Sequence, residues 1–161
     1  YCKKFSFGVA GVAGVKNIEG KVATFSNIFH GEQKTKAANK SISTPVEVDV
    51  IDECLIIVPN KVFSKNQFSV IGPTWHLYGT DFALKMKLLD LPVLVFPSEL
   101  WHVSDGKSLN LNYFDAIQWL VQRYSKNYSV IYTFFGVWPS NPILLKFKCL
   151  YRKLRFYIKG V

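Results

Sequence analysis

The chain is short of acid, of cysteine and of long apolar runs, and each shortage excludes something. Its 11 Asp and Glu stand against 20 Lys and Arg, a formal charge of +9. That balance suits a phosphorylated ligand, an anionic membrane surface or nucleic acid, and composition alone does not choose among them. The three cysteines, Cys2, Cys54 and Cys149, are odd in number and far apart, with no Cys-x-x-Cys pair. They read as reduced, mostly buried thiols of a cytosolic protein rather than a zinc site or a disulfide framework. No run approaches the ~20 apolar residues that span a bilayer. The opening residues, Tyr1 to Lys4, lead into no apolar segment sufficient for a signal peptide. We therefore expect a cytoplasmic protein, able to sit peripherally on the inner face of the membrane. There is no initiator Met, so the sequence reads as a fragment or a trimmed chain.

What is present is apolar and aromatic. With 161 residues, 49% hydrophobic and 16% aromatic, the chain suits one domain with a real core, and disorder is excluded. Phe5 to Gly14 is small, apolar and punctuated by Gly8, Gly11 and Gly14. These glycines are not in the Gly-x-Gly-x-x-Gly order of a phosphate cradle and read better as a buried strand that permits close backbone approach. Val22 to His30 continues as a strand. Gly31 to Pro45 is polar and should be a solvated loop, with Lys34, Lys36 and Lys40 within reach of a phosphate. Val46 to Val58 alternates and then becomes continuously apolar, which predicts one long strand passing from half-exposed to buried. Asp52 and Glu53 sit at its junction, where two carboxylates need either a structural cap or bulge, or a functional partner such as a substrate hydroxyl.

The stretch from Trp75 to Gly106 organises the rest. Gly72-Pro73 makes a turn, Thr74 is a candidate N-cap, and Leu77, Asp81, Leu84 and Leu88 recur on one face of an amphipathic helix. Asp81 is thus a carboxylate on an apolar face, which is costly unless it is paired or used. Val93 to Phe96 predicts a short buried strand, and His102 follows in a loop with the turn Ser104-Asp105-Gly106. Helix, strand and loop would bring Asp81 and His102 to one sheet edge. Further on, Tyr113 to Tyr124 predicts a helix with Phe114, Ile117, Leu120 and Val121 inward. Ser129 to Trp138 is a strand or a buried helix. From Ile143 onward, Lys146, Lys148, Arg152, Lys153, Arg155 and Lys159 alternate with Leu, Phe, Tyr and Ile, and no acid appears. Such a segment either lies against anionic lipid or docks on the domain with a solvated basic face. No nucleic-acid-binding module is visible, so nucleic acid is not an expected partner.

Trp75-His76-Leu77-Tyr78, then Asp81, Leu84 and Lys85, then His102-Val103-Ser104-Asp105-Gly106 resemble the C-terminal, acceptor half of inverting GT-A-fold glycosyltransferases of the broad family-2-like bacterial group. The resemblance covers about Phe5 to Ser140. It implies an α/β fold, a mixed sheet with helices packed on it, and a division into a glycosyltransferase-like domain over residues 1–140 and a basic amphipathic segment over 141–161. The family's nucleotide-binding half and its Asp-x-Asp are not recognisable, since Asp49-Val50-Ile51-Asp52 is spaced differently. Many members also carry an acid at the position of Gly79.

The resemblance further implies transfer of a sugar from a nucleotide-diphospho-sugar donor to a glycan or lipid-linked acceptor, in cell-surface polysaccharide or glycoconjugate synthesis. On that reading Asp81 is the catalytic base and His102 a ligand of a divalent cation, manganese or magnesium, or a contact of the diphosphate. Asp52, Glu53, Trp75, His76 and Tyr78 form the acceptor side. The alternative is a non-catalytic, truncated transferase-like domain that binds a glycan, a membrane or a partner transferase. A third reading is a basic RNA- or phospholipid-binding protein without sugar chemistry.

Overall fold

A computed structural model describes residues 4–38, 41–104 and 109–159. Lys40, Asp105 and Gly106, singled out above, and Cys2 lie outside the described residues. In chain order the first strands are β1 (Val9–Gly11), β2 (Ala13–Ile18), β3 (Lys21–Ser26), β4 (Ile28–His30) and β5 (Thr35–Lys36). There follow β6 (Val46–Glu47), β7 (Val50–Ile51), β8 (Ile56–Ile57), the one-turn helix α1 (Asn60–Phe63) and α2 (Tyr78–Leu88). The rest is β9 (Val93–Val95), β10 (Leu100–His102), α3 (Asn112–Tyr124), β11 (Val130–Thr133), β12 (Gly136–Pro139) and α4 (Pro142–Lys159).

The apolar run Val93-Leu94-Val95 is the buried strand its composition predicts, lying between β6 and β1 in a four-stranded sheet of order β6-β9-β1-β8. Its pairing with β1 is parallel and with β6 antiparallel, so this sheet is mixed. A second sheet, β3-β2-β7, is antiparallel throughout. The glycine-punctuated stretch supplies one strand to each sheet, β1 and β2, and its glycines do permit close approach. A Cβ on Gly14 would come within 2.6 Å of Val95 Cγ2 and 2.8 Å of Val48 Cγ2.

Val46 to Val58 departs from expectation. It is not one long strand but three two-residue strands, β6, β7 and β8, which join the first sheet, the second and the first again. The polar residues within it are the reason. The Asp49 carboxylate accepts the Asn17 backbone N–H at 2.7 Å and pairs with Lys87, and Asp52 Oδ1 accepts the Cys54 N–H at 2.8 Å, bending the chain after β7. Residues 22–30 likewise split into β3 and β4, and His102 lies on strand β10 rather than in a loop.

The helix α2 also differs in detail. It begins at Tyr78, after Leu77 in the left-handed region (φ +70°), and Thr74 instead makes a local turn by accepting the His76 N–H at 3.0 Å. Residues 79–84 and Met86 are all buried, whereas Leu88 is 45% exposed. The helix is therefore enclosed on most sides rather than striped. On α3, Phe114, Ile117, Leu120 and Val121 face inward as their spacing predicts. They share one core with β1, β7, β9, α2 and the buried Trp138. Residues 129–138 resolve into an antiparallel hairpin, β11–β12. No helix among the described residues is long and apolar enough to cross a membrane.

Candidate functional site

A cavity of about 450 Å³ opens where the bend after β7, the start of α2 and the β4–β10 pair meet the turn between β11 and β12. Asp52, Glu53, His76, Tyr78, His30 and His102 supply its polar lining, and Trp75, Phe134 and Phe135 an apolar wall. Six residues expected from the sequence thus come together here: Asp52, Glu53, Trp75, His76, Tyr78 and His102. They come from three separate stretches of the chain.

Glu53 is the most perturbed acid of the site. Its Oε1 accepts the backbone N–H of Gly79 at 3.2 Å, in the first turn of α2, where the unpaired N–H groups and the helix dipole favour negative charge. Burial nevertheless dominates. Together with the neighbouring charge of Asp52 it pushes the Glu53 carboxyl up to about 8. Glu53 therefore holds or releases a proton near neutral pH, the range in which a carboxylate works as a general base. A Cβ on Gly79 would lie 3.3 Å from Glu53 Oε1 and 3.2 Å from Ile56 Cδ1, so the carboxylate fills the space a side chain at 79 would enter.

Tyr78 and Cys54 stand beside this acid. Burial first, and then the charges of Glu53 and Asp52, raise the Tyr78 phenol above its ordinary value. The Cys54 thiol is pushed up to about 12 by burial and by Asp52, so it is no thiolate and no nucleophile at neutral pH. His76 is buried, with its ring edge-on to Tyr113 (centroids 5.6 Å apart) and to Phe135 (5.9 Å). Trp75 is 60% exposed at the rim, where an aromatic face is free to stack on a sugar ring.

His102 has a partner that the sequence did not announce. Strands β4 and β10 pair in parallel with His30 opposite His102, and their Nδ1 atoms are 3.3 Å apart. One imidazole donates and the other accepts, which directs each Nε2 away from the shared bond. Only the strand pairing reveals His30, since its place at the end of a β-run before Gly31 carries no signal of its own. The ring that donates keeps a lone pair on its Nε2, able to meet a cation, and the ring that accepts carries a proton on its Nε2, able to meet a diphosphate. Among the described residues no group of three or more His, Cys, Asp or Glu is arranged to hold a metal ion. A manganese or magnesium ion would have to complete its shell from water and phosphate oxygens.

Asp81 is not brought to the cavity. It is wholly buried on the side of α2 that faces α3. There Tyr124 Oη donates to its Oδ1 at 2.8 Å and Arg123 Nε lies 3.5 Å away. The expectation that Asp81 is the base followed from its burial on an apolar face. The burial is as expected, but the face belongs to the interhelical core, and the carboxylate is held by α3. No protein-family model matches the chain, and no curated protein matches it either.

Proposed function

We propose that this chain transfers a sugar, with inversion, from a nucleotide-diphospho-sugar donor to a hydroxyl acceptor in polysaccharide or glycoconjugate synthesis, and that Glu53 is its base. The observation that carries the reading is the convergence of Asp52-Glu53, Trp75-His76-Tyr78 and His102 on one cavity. These stretches carry the resemblance to the acceptor half of GT-A glycosyltransferases. Glu53 also answers the departure at Gly79. The acid that many such enzymes hold at that position has a spatial substitute in a carboxylate hydrogen-bonded to the Gly79 N–H.

In this mechanism the acceptor lies against Trp75 and Tyr78. Its hydroxyl gives its proton to the Glu53 carboxylate as its oxygen attacks the anomeric carbon. The bond from that carbon to the donor diphosphate breaks, and the leaving diphosphate takes the electron pair. His30 and His102 face the developing negative charge, where preorganised donors act most strongly. A divalent cation arriving with the donor would supply further charge neutralisation beside the same two rings.

The test is calorimetric titration with uridine and guanosine diphosphate sugars, with and without manganese, followed by turnover assays of Glu53→Gln. Donor binding that survives in Glu53→Gln while transfer falls about 10²–10⁴-fold is the expected result. Unchanged turnover in that variant removes Glu53 from the mechanism. Glycan binding without any turnover would favour the non-catalytic reading.

A further inference from the structure

Helix α4 has two apolar faces, and only one of them is covered. Asn141 starts the helix, its Oδ1 accepting the N–H groups of Ile143 at 3.0 Å and Leu144 at 3.1 Å. One face docks: Leu145 and Cys149 are buried in the main core. Arg152 donates to the Phe135 carbonyl at 3.1 Å, Lys148 donates to the Val137 carbonyl, and Lys153 pairs with Asp115 of α3 at 3.2 Å. The opposite face carries Ile143, Phe147, Leu150, Leu154, Tyr157 and Ile158, each more than half exposed. With Leu144 and Tyr151, also more than half exposed, these side chains fall within an arc of roughly 140° at 3.6 residues per turn.

The borders of that arc are basic on both sides. Lys146 on one edge and Arg155 on the other are exposed, whereas Lys148 and Lys153 are engaged by the domain. No Asp or Glu occurs anywhere after Asp115. We propose that α4 lies in the plane of an anionic lipid bilayer, with its exposed stripe at the boundary of headgroups and acyl chains and its bordering Lys146 and Arg155 at the lipid phosphates. An apolar stripe with a cationic residue on each border fits that surface in both its parts, since the stripe removes apolar area from water and Lys146 and Arg155 meet negative charge. A second copy of the chain fits poorly. Facing two such stripes would bring Lys146 and Arg155 of both copies together with no acid on either helix, and like charges across an interface are repulsive.

The experiment is flotation of the whole chain with vesicles of phosphatidylcholine alone and of phosphatidylcholine with 30% phosphatidylglycerol, at about 0.1 M and 0.5 M salt. We expect binding to the anionic vesicles, weakened at high salt. Leu150→Ser with Leu154→Ser leaves the net charge unchanged and should lower that binding at least tenfold. Lys146→Glu with Arg155→Glu should abolish the preference for anionic lipid while sparing the stripe. All four side chains point away from the core, and an unchanged circular dichroism spectrum would verify the fold. Absence of wild-type flotation overturns the proposal, as does undiminished flotation of the double serine variant, which would mark a diffuse attraction of the +9 chain. A lipid-free dimer that the serine variant dissolves would also overturn it by giving the stripe to a second copy. None of these readings depends on sugar chemistry.

Discussion

Two carboxylates lie along the same helix, and they are kept in opposite ways. Asp81 is inside the interhelical core, with the Tyr124 hydroxyl on its Oδ1 and Arg123 beside it. Glu53 reaches the start of α2 from the bend between β7 and β8, accepts the Gly79 N–H on its Oε1, and lines the cavity. Burial by itself therefore does not identify a reactive acid. The Asp81 carboxylate is tied into the core through one oxygen, by a phenol and a guanidinium, away from the cavity. A carboxylate that is desolvated at an open pocket, with its proton affinity raised, is available for chemistry.

The comparison breaks most clearly on transfer activity. Glu53→Gln should cost about 10²–10⁴ in turnover with little loss of fold, because glutamine keeps an oxygen for the Gly79 N–H. If Asp81→Asn instead produced the larger loss in a folded protein, the two roles would have to be exchanged. Stability should show the reverse order. Asp81→Ala leaves the buried Tyr124 hydroxyl without its carboxylate partner and opens space between α2 and α3, at about 3 kcal/mol in urea unfolding.

The dependence on pH sharpens the contrast. The folded-state value of Glu53, about 8, lies above its ordinary 4.5, so the native state holds this proton more tightly than the unfolded chain does. Its contribution to stability is complete below pH 4.5 and is lost as pH rises through 8. Glu53→Gln should thus match the wild type in unfolding free energy at pH 4 and exceed it at pH 9 by on the order of 5 kcal/mol. A constant difference between the two proteins across that range would show that Glu53 does not titrate as described.

The smallest expected effect is at Gly79. Gly79→Ala gains helix propensity of about 1 kcal/mol. It also sets a methyl group 3.3 Å from Glu53 Oε1. Stability should change by less than about 1 kcal/mol, while turnover falls because the carboxylate is displaced. A variant with full activity would mean that the position of Glu53 at the helix start is unimportant.

Local pattern carried much of this fold. The apolar run at residues 93–95, the inward face of α3 and the helix from Pro142 follow from composition and spacing. Less legible was anything decided by pairing across the chain. The spacing of Val46, Val48 and Val50 predicts a continuous strand, yet Asp49 and Asp52 each engage backbone groups and break it. Leu77 and Leu84 are inward as expected, but Leu88 is not, because the helix is enclosed by several elements instead of lying on one. In the site, Glu53 is legible as one of a carboxylate pair entering an apolar run, and His76 and His102 through the stretches that carry the resemblance. His30 is not, because its significance comes entirely from the strand beside it.

The broken segment of residues 46–57 has a consequence for how the molecule comes apart. Twelve residues cross from one sheet to the other and back, with β6 and β8 at the two ends and β7 between them. Neither sheet can peel away without dragging this stitch out of its neighbour. Amide hydrogens of β1, β2, β7 and β9 should therefore exchange together in a single cooperative opening, while the exposed β5 exchanges early.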